Sequence, residues 1–298
     1  MSKKWTHADI PDQTGKVIII TGATSGLGKE ASKVLAEKGA TVIMAVRNTE
    51  KGEKVIQEIT KEHPKAKLEV KKLDLGSLKS IESFAKEFLQ QYDQLNILIN
   101  NAGVMMCPYA KTEDGFEIQM GTNHLGHFAL TRKLMAALIQ TKDSRVVATS
   151  SIGHRMGDID FDDINWEKRK YDTNKAYGDS KLANLYFTYE GARKFSSNPN
   201  APKMVAAHPG VTATDLDRHS KLLQFFNKFM AQGVEKGTLP TLRAATDPTA
   251  KSGDYFGPGG LFEARGYPKK VDSNALSKDI EKAQKLWKVS EQMTGVSF

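Results

Sequence analysis

Short apolar, β-branched runs alternate along this chain with longer segments of helical period, and that alternation constrains the fold most. Val17 to Thr21 reads as a strand. A helix is expected from about Leu27 to Lys38, where Leu27, Ala31, Val34 and Leu35 recur at helical spacing until Gly39 stops them. Thr41 to Val46 is a second strand, followed by a charged helix from about Glu50 to Glu62. Leu68 to Leu73, Leu95 to Asn100, Arg145 to Ser150 and Met204 to His208 continue the strand series. Helices are expected over Leu78 to Gln91, with Ser77 as its cap, over about Gly115 to Gln140, and around Tyr177 as far as about Phe195. Such a rhythm requires right-handed crossovers and a mainly parallel sheet covered on both faces. The fold class is therefore α/β, a single doubly wound parallel sheet with helices on both faces.

At 298 residues and 39% apolar composition, the chain can bury a sizeable core. No Pro/Gly/Ser-rich linker or internal repeat divides it, so residues 1–298 are expected to form one domain. Three stretches depart from the rhythm. Residues 155–175 are rich in Asp, Asn, Lys and Arg and read as a surface insert. Residues 211–232 begin polar, then gather Leu222, Leu223, Phe225, Phe226, Phe229 and Met230. A C-terminal extension over about 267–298 includes an expected helix from Ser277 to Met293. The longest aliphatic stretch, Val17 to Ile20, is far below the ~20 residues of a bilayer span, and Met1 to Lys16 has no apolar signal segment. A lone cysteine, Cys107, excludes a disulfide within the chain, and there is no Cys/His cluster for a metal. A cytoplasmic, metal-free protein with no membrane span is expected. The excess of 43 Lys plus Arg over 35 Asp plus Glu gives +8, but the cations are scattered and no aromatic residues interleave with a basic stripe. Nucleic acid is not expected as a partner.

The glycines of Thr21-Gly22-Ala23-Thr24-Ser25-Gly26-Leu27-Gly28 follow a strand and open a helix, the context in which they bind a pyrophosphate. Gly22 can turn tightly, Gly26 lets backbone approach the anion, and Gly28 allows close helix–strand packing. The helix start, with Ser25 and Leu27, offers N–H groups. A site for NAD usually has an acid at the end of the second strand. Nineteen residues after Gly28 stands Arg47 instead. A guanidinium can bond two oxygens of a 2′-phosphate, which an acid would repel. NADP(H) is the expected cofactor, with Ser25 or Lys29 as helpers.

Tyr177 and Lys181 are four apart, on one face of their helix. An ammonium close to a phenol stabilises the phenolate and makes the Tyr a usable acid or base near neutrality. Ser151 follows the strand ending at Ser150, at the carboxyl edge where ligands of open α/β sheets sit, and could bond a carbonyl oxygen. Neither Ser150 nor Ser151 lies in a G-x-S-x-G elbow, which excludes a serine hydrolase.

Together these residues resemble the short-chain dehydrogenase/reductase family, in the branch with T-G-x-x-x-G-x-G. The likeness extends to Asn100-Asn101-Ala102-Gly103, to Asn123-His124-Leu125-Gly126-His127-Phe128 and to Pro209-Gly210. Asn123 to Phe128 and Ser180-Lys181-Leu182-Ala183-Asn184 are similar to the retinol-dehydrogenase-like group and its soluble bacterial relatives, and more distantly to protochlorophyllide reductases. The resemblance implies a Rossmann fold in which Tyr177 is the proton donor, Lys181 lowers its pKa and holds the nicotinamide ribose, and Ser151 polarises the carbonyl. Asn123 would hold a water in a proton relay. Asp74 and Leu75 match positions at the adenine, Asn101, Ala102 and Gly103 line its ribose, and Thr212 and Thr214, after Pro209 and Gly210, lie near the carboxamide and pyrophosphate. Ser151 and Tyr177 stand 26 apart, more than is common in the family, which puts the entrance geometry in question.

The reaction that this likeness implies is NADP(H)-dependent hydride transfer on a carbonyl/alcohol pair. Leu216 to Met230 falls where the family carries a small substrate lid, and its apolar residues point to lipophilic or aryl substrates. Met105, Met106 and Cys107 are further candidates for the pocket wall. Two rivals stand beside this reading: a C=C reductase like the protochlorophyllide enzymes, and a catalytically silent NADP(H)-sensing protein. The small-molecule substrate itself and the choice between homodimer and homotetramer stay open.

Overall fold

A computed structural model describes residues 4–212 and 232–298. Eight strands form one sheet in the order β3-β2-β1-β4-β5-β6-β7-β8. They are β1 Val17–Thr21, β2 Thr41–Val46, β3 Lys67–Lys72, β4 Ile97–Asn100, β5 Arg145–Thr149, β6 Lys203–Ala207, β7 Tyr255–Pro258 and β8 Pro268–Lys270. Seven run parallel, and β8 pairs antiparallel with β7 at the edge. Every residue of β1 and of β5 is buried, as strands covered on both faces require.

The strand period of two sorts the core into two layers. Ile18, Ile20, Val42, Met44 and Val205 face one side, packed with Val34 and Leu35 of α1 (Gly26–Glu37) and Leu239 and Leu242 of α7 (Val234–Thr246). Ile19, Ile43, Leu98 and Val146 face the other, against Phe84 and Phe88 of α3 (Leu78–Gln91), Leu130 of α4 (Gly126–Lys133) and Phe187 of α6 (Thr173–Lys194). The remaining helices are α2 (Thr49–Glu62), α5 (Met135–Gln140) and α8 (Ile280–Thr294). Ser77 caps α3 as expected, accepting the Ser80 N–H.

The structure differs from the sequence reading in several places. The stretch Gly115 to Gln140 is not one helix but a turn at Ile118–Met120, a π turn at Gly121–Leu125, then α4 and α5. Leu95 is buried ahead of β4, its N–H bonded to Thr141 Oγ1 at 2.9 Å rather than to a strand. α7, β7 and β8 had no counterpart in the sequence reading. The insert is pinned down: Trp166 is buried, and the Arg169 guanidinium lies 3.6 Å over its ring. The C-terminal extension closes the core, with Trp287 of α8 stacked on Phe187 at 5.6 Å and Phe298 4.8 Å from Trp287. Among the described residues no helix is long and apolar enough to cross a membrane.

Candidate active site

A cleft of about 580 Å³ runs along the carboxyl edge of β1, β2, β4 and β5. One end is built by the glycine turn. Gly22, at φ +69°, turns so close to β4 that a Cβ there would meet Ala102 at 2.9 Å. A Cβ on Gly28 would lie 2.4 Å from the Gly22 carbonyl oxygen, so α1 can approach β1 only with glycine at this position. Thr21 closes the arrangement. Its Oγ1 accepts the N–H groups of Asn101 at 3.0 Å and Ala102 at 2.9 Å, while Asn101 Nδ2 donates to the Thr21 carbonyl at 2.8 Å. The wall continues through Ser25, Gly26 and Leu27 to Arg47 at the end of β2, and to Asp74 and Leu75 beyond β3. Lys51 in the first turn of α2 joins Arg47 on this wall, a second cation that sequence reasoning missed. Lys29 instead pairs with Glu58 and does not line the cleft.

The other end gathers Ser151, Tyr177 and Lys181 around two glycines. A Cβ on Gly153 would sit 2.9 Å from the Tyr177 ring and 3.3 Å from Ser151 Oγ. A Cβ on Gly103 would lie 3.5 Å from Lys181 Nζ. Ser151 Oγ accepts the Gly153 N–H at 3.0 Å, and its own proton has no acceptor among the described residues. That leaves the hydroxyl ready to donate to a ligand oxygen. Lys181 Nζ stands 5.7 Å from the centre of the Tyr177 ring and donates to the Thr149 carbonyl at 3.2 Å. Burial pushes the Lys181 pKa down to about 8, because an ammonium out of water loses its hydration.

Asn123 lies beside this group but not on the cleft wall. Its Oδ1 accepts the Val104 N–H at 2.8 Å, and its Nδ2 donates to the Val104 carbonyl at 3.0 Å and to Ser180 Oγ at 2.9 Å. Ser180 Oγ in turn donates to the Tyr177 carbonyl at 2.8 Å. The side chain is thus occupied in tying the strand β4 exit to the helix that carries Tyr177. The Asn123 carbonyl faces His127 Nδ1 at 3.0 Å, and His127 Nε2 meets Thr21 Oγ1 at 2.9 Å. Burial pushes the His127 pKa down to about 4, so the ring is neutral. A carbonyl can only accept, which assigns the proton to Nδ1 and makes Thr21 the donor to Nε2. One buried imidazole therefore joins the glycine turn to the chemical end. The π turn re-aims this segment, as such turns commonly do at functional sites.

Pro209, Gly210 and Thr212 also line the cleft, and Thr212 Oγ1 donates to the Pro209 carbonyl at 2.8 Å. Met105 and Met106 belong to the wall, whereas Cys107 does not. Thr214 and the apolar residues Leu216 to Met230 lie outside the described residues.

Fold and cleft define a class, the doubly wound oxidoreductases that bind a nicotinamide dinucleotide along the sheet edge. The family model for short chain dehydrogenases matches residues 16–222, and the chain belongs to that family. It is 41% identical to retinol dehydrogenase 12 of Mus musculus over 98% of this chain and 90% of the relative. With retinol dehydrogenase 11 of Homo sapiens it shares 41% over 95% and 86%. A crystal structure of an uncharacterised Mycobacterium paratuberculosis protein is similar at 40% identity and TM-score 0.84, covering 99% of each chain. A Shigella flexneri short chain dehydrogenase complexed with NADP shares 24% identity and TM-score 0.65, over 82% of this chain and 97% of that one, a likeness of fold.

Proposed function

We propose that this protein is an NADP(H)-dependent oxidoreductase acting on a carbonyl/alcohol pair with lipophilic or aryl substituents. The observation that carries the reading is the convergence of Ser151, Tyr177 and Lys181 on the cleft whose far end holds Arg47 and Lys51. The residues present fit a dinucleotide. Gly22 and Gly28 permit a turn so tight that a Cβ on either would strike neighbouring chain, the first N–H groups of α1 border the cleft there, and two cations on its wall suit a 2′-phosphate.

When bound, the reduced cofactor supplies hydride to the carbonyl carbon. The chain does the rest. The Ser151 hydroxyl donates to the carbonyl oxygen and Tyr177 gives it a proton as negative charge develops, the electrostatic support that usually dominates such sites. The Lys181 ammonium stabilises the phenolate left behind and holds the nicotinamide ribose. Asn123, through Val104 and Ser180, holds the segments that carry these groups. Met105, Met106, Ile152 and Met156 give the chemical end apolar walls, which together with relatives named for retinol support a lipophilic substrate. The same names, which refer to an alcohol, favour C=O over C=C chemistry.

The test is loss of reduced-nicotinamide absorbance over a panel of aldehydes and ketones, including bulky aryl ketones and retinal, with NADPH and NADH in parallel. Turnover with NADPH on lipophilic carbonyls is the expected result. Tight NADPH binding with no carbonyl turned over would overturn it.

A further inference from the structure

A second cavity, of about 260 Å³, opens at the amino ends of the strands, the sheet edge opposite the cofactor cleft. Its wall carries Lys16, Lys142, Arg145 and Lys203 against a single carboxylate, Asp143. Arg145 is the telling residue. It is only 7% exposed, yet among the described residues no carboxylate comes within ion-pair distance, and its hydrogen bond runs from Nη1 to the Ala244 carbonyl at 3.1 Å. Charged side chains buried to this degree are almost always paired. The carbonyl end of α7 meets part of the charge, but a helix terminus supplies only about half an elementary charge.

The other groups do not restore balance. Lys16 Nζ donates to a neutral partner, Gln13 Oε1, at 3.1 Å. Lys203 stands 3.8 Å from Asp143, whose side chain is 69% exposed and mostly solvated. Lys142 makes no ion pair among the described residues. Burial and the neighbouring Arg145 push the Lys16 pKa down against the pull of Asp12 and Asp143, and burial pushes Arg145 down against the pull of Asp247 and Asp143. Four cations thus line one cavity whose wall carries a single carboxylate.

We infer that this cavity is a second ligand site, for a compact polyanion of the phosphate type. Arg145 offers a planar fork for two oxygens, while the three lysines act as point charges around it. The site does not depend on the proposed redox activity.

Isothermal titration of inorganic pyrophosphate into the full chain tests it, at about 0.15 M salt so that diffuse attraction to the net charge is screened. The parent, with and without saturating NADP+ to occupy the glycine turn of the cofactor cleft, is compared with Lys142→Gln/Lys203→Gln and with Lys61→Gln/Lys65→Gln. The second pair removes the same charge from exposed positions on and just beyond α2. In the presence of NADP+, binding at one remaining site is expected in the parent and in Lys61→Gln/Lys65→Gln, weakened about tenfold only in Lys142→Gln/Lys203→Gln. Absence of binding by the NADP+-saturated parent overturns the inference, because it would put the anion in the cofactor cleft alone. So does equal binding by Lys142→Gln/Lys203→Gln, or equal weakening by the control pair.

Discussion

The two ends of the cleft are made in opposite ways. The proposed phosphate end is centred on one contiguous segment, Thr21 to Gly28, and depends there on backbone: its glycines are defined by what a Cβ would strike. Its cations, Arg47 and Lys51, are exposed and keep ordinary hydration. The chemical end is assembled from β4, the π turn, β5 and α6, and its titratable groups are buried. Tyr177 is 7% exposed and Lys181 4%. Affinity for an anion can rest on many small, solvated contacts, whereas proton transfer near neutrality needs a shifted pKa, which burial and a neighbouring charge supply. His127, neutral and hydrogen-bonded to both Thr21 and the Asn123 carbonyl, is where the two constructions meet.

This contrast can be broken at either end. The largest effect is expected for Tyr177→Phe, a loss of about 10³-fold in kcat/KM of carbonyl reduction, since removal of a general acid typically costs 10²- to 10⁴-fold. Steady-state kinetics with cofactor binding measured alongside would check it. Arg47→Asp comes next: roughly 10- to 100-fold off kcat/KM for NADPH, with the NADPH/NADH ratio falling accordingly, as loss of a charge-assisted bond to phosphate implies. An unchanged ratio would sink the 2′-phosphate assignment. Lys51→Gln, exposed and solvated, should cost only about a few-fold in the same ratio.

The pH dependence sharpens the comparison through Lys181, whose pKa burial pushes down to about 8. The Lys181 ammonium is present below about pH 8 and lost as pH rises through that value. Reductive kcat/KM should therefore fall on the alkaline side from about pH 8, and Lys181→Arg should move that limb upward. A profile flat to about pH 10 would contradict the role given to Lys181. For folding the sign is reversed. The folded value lies below the usual 10.5, so the unfolded chain binds the extra proton between about pH 8 and 10.5, and the burial penalty fades as pH rises through that window.

The sequence was most legible where local pattern and tertiary role coincide. Val17 to Thr21, Thr41 to Val46 and Leu78 to Gln91 appear in the structure with the bounds their periodicity implied. The edge of the sheet was not legible. β8 is three residues, Pro268–Lys270, two of them exposed, with no alternation to detect, and β7 ends in Gly257 and Pro258. α7 carries Gly237 and Pro240 inside it, which read as breakers until packing against α1 and the sheet overrides them. Of the catalytic and cofactor-binding candidates among the described residues, all reach the cleft wall except Asn123 and the suggested helper Lys29, and the neighbours of Asn123 were beyond sequence reasoning. The bonds from Asn123 to Val104 and Ser180, and from His127 to Thr21, span 19, 57 and 106 positions, and spacing along a chain says nothing about contacts made only on folding.

The most direct measurement sets Tyr177→Phe beside Arg47→Ala, with NADPH binding followed by fluorescence and carbonyl reduction followed by absorbance. If one cleft joins two separately built ends, the variants fail in complementary ways. Tyr177→Phe should bind NADPH as the parent does and turn nothing over, while Arg47→Ala should bind NADPH weakly yet approach the parent rate at saturating cofactor. Turnover by Tyr177→Phe at the parent rate, or full NADPH affinity in Arg47→Ala, would contradict it.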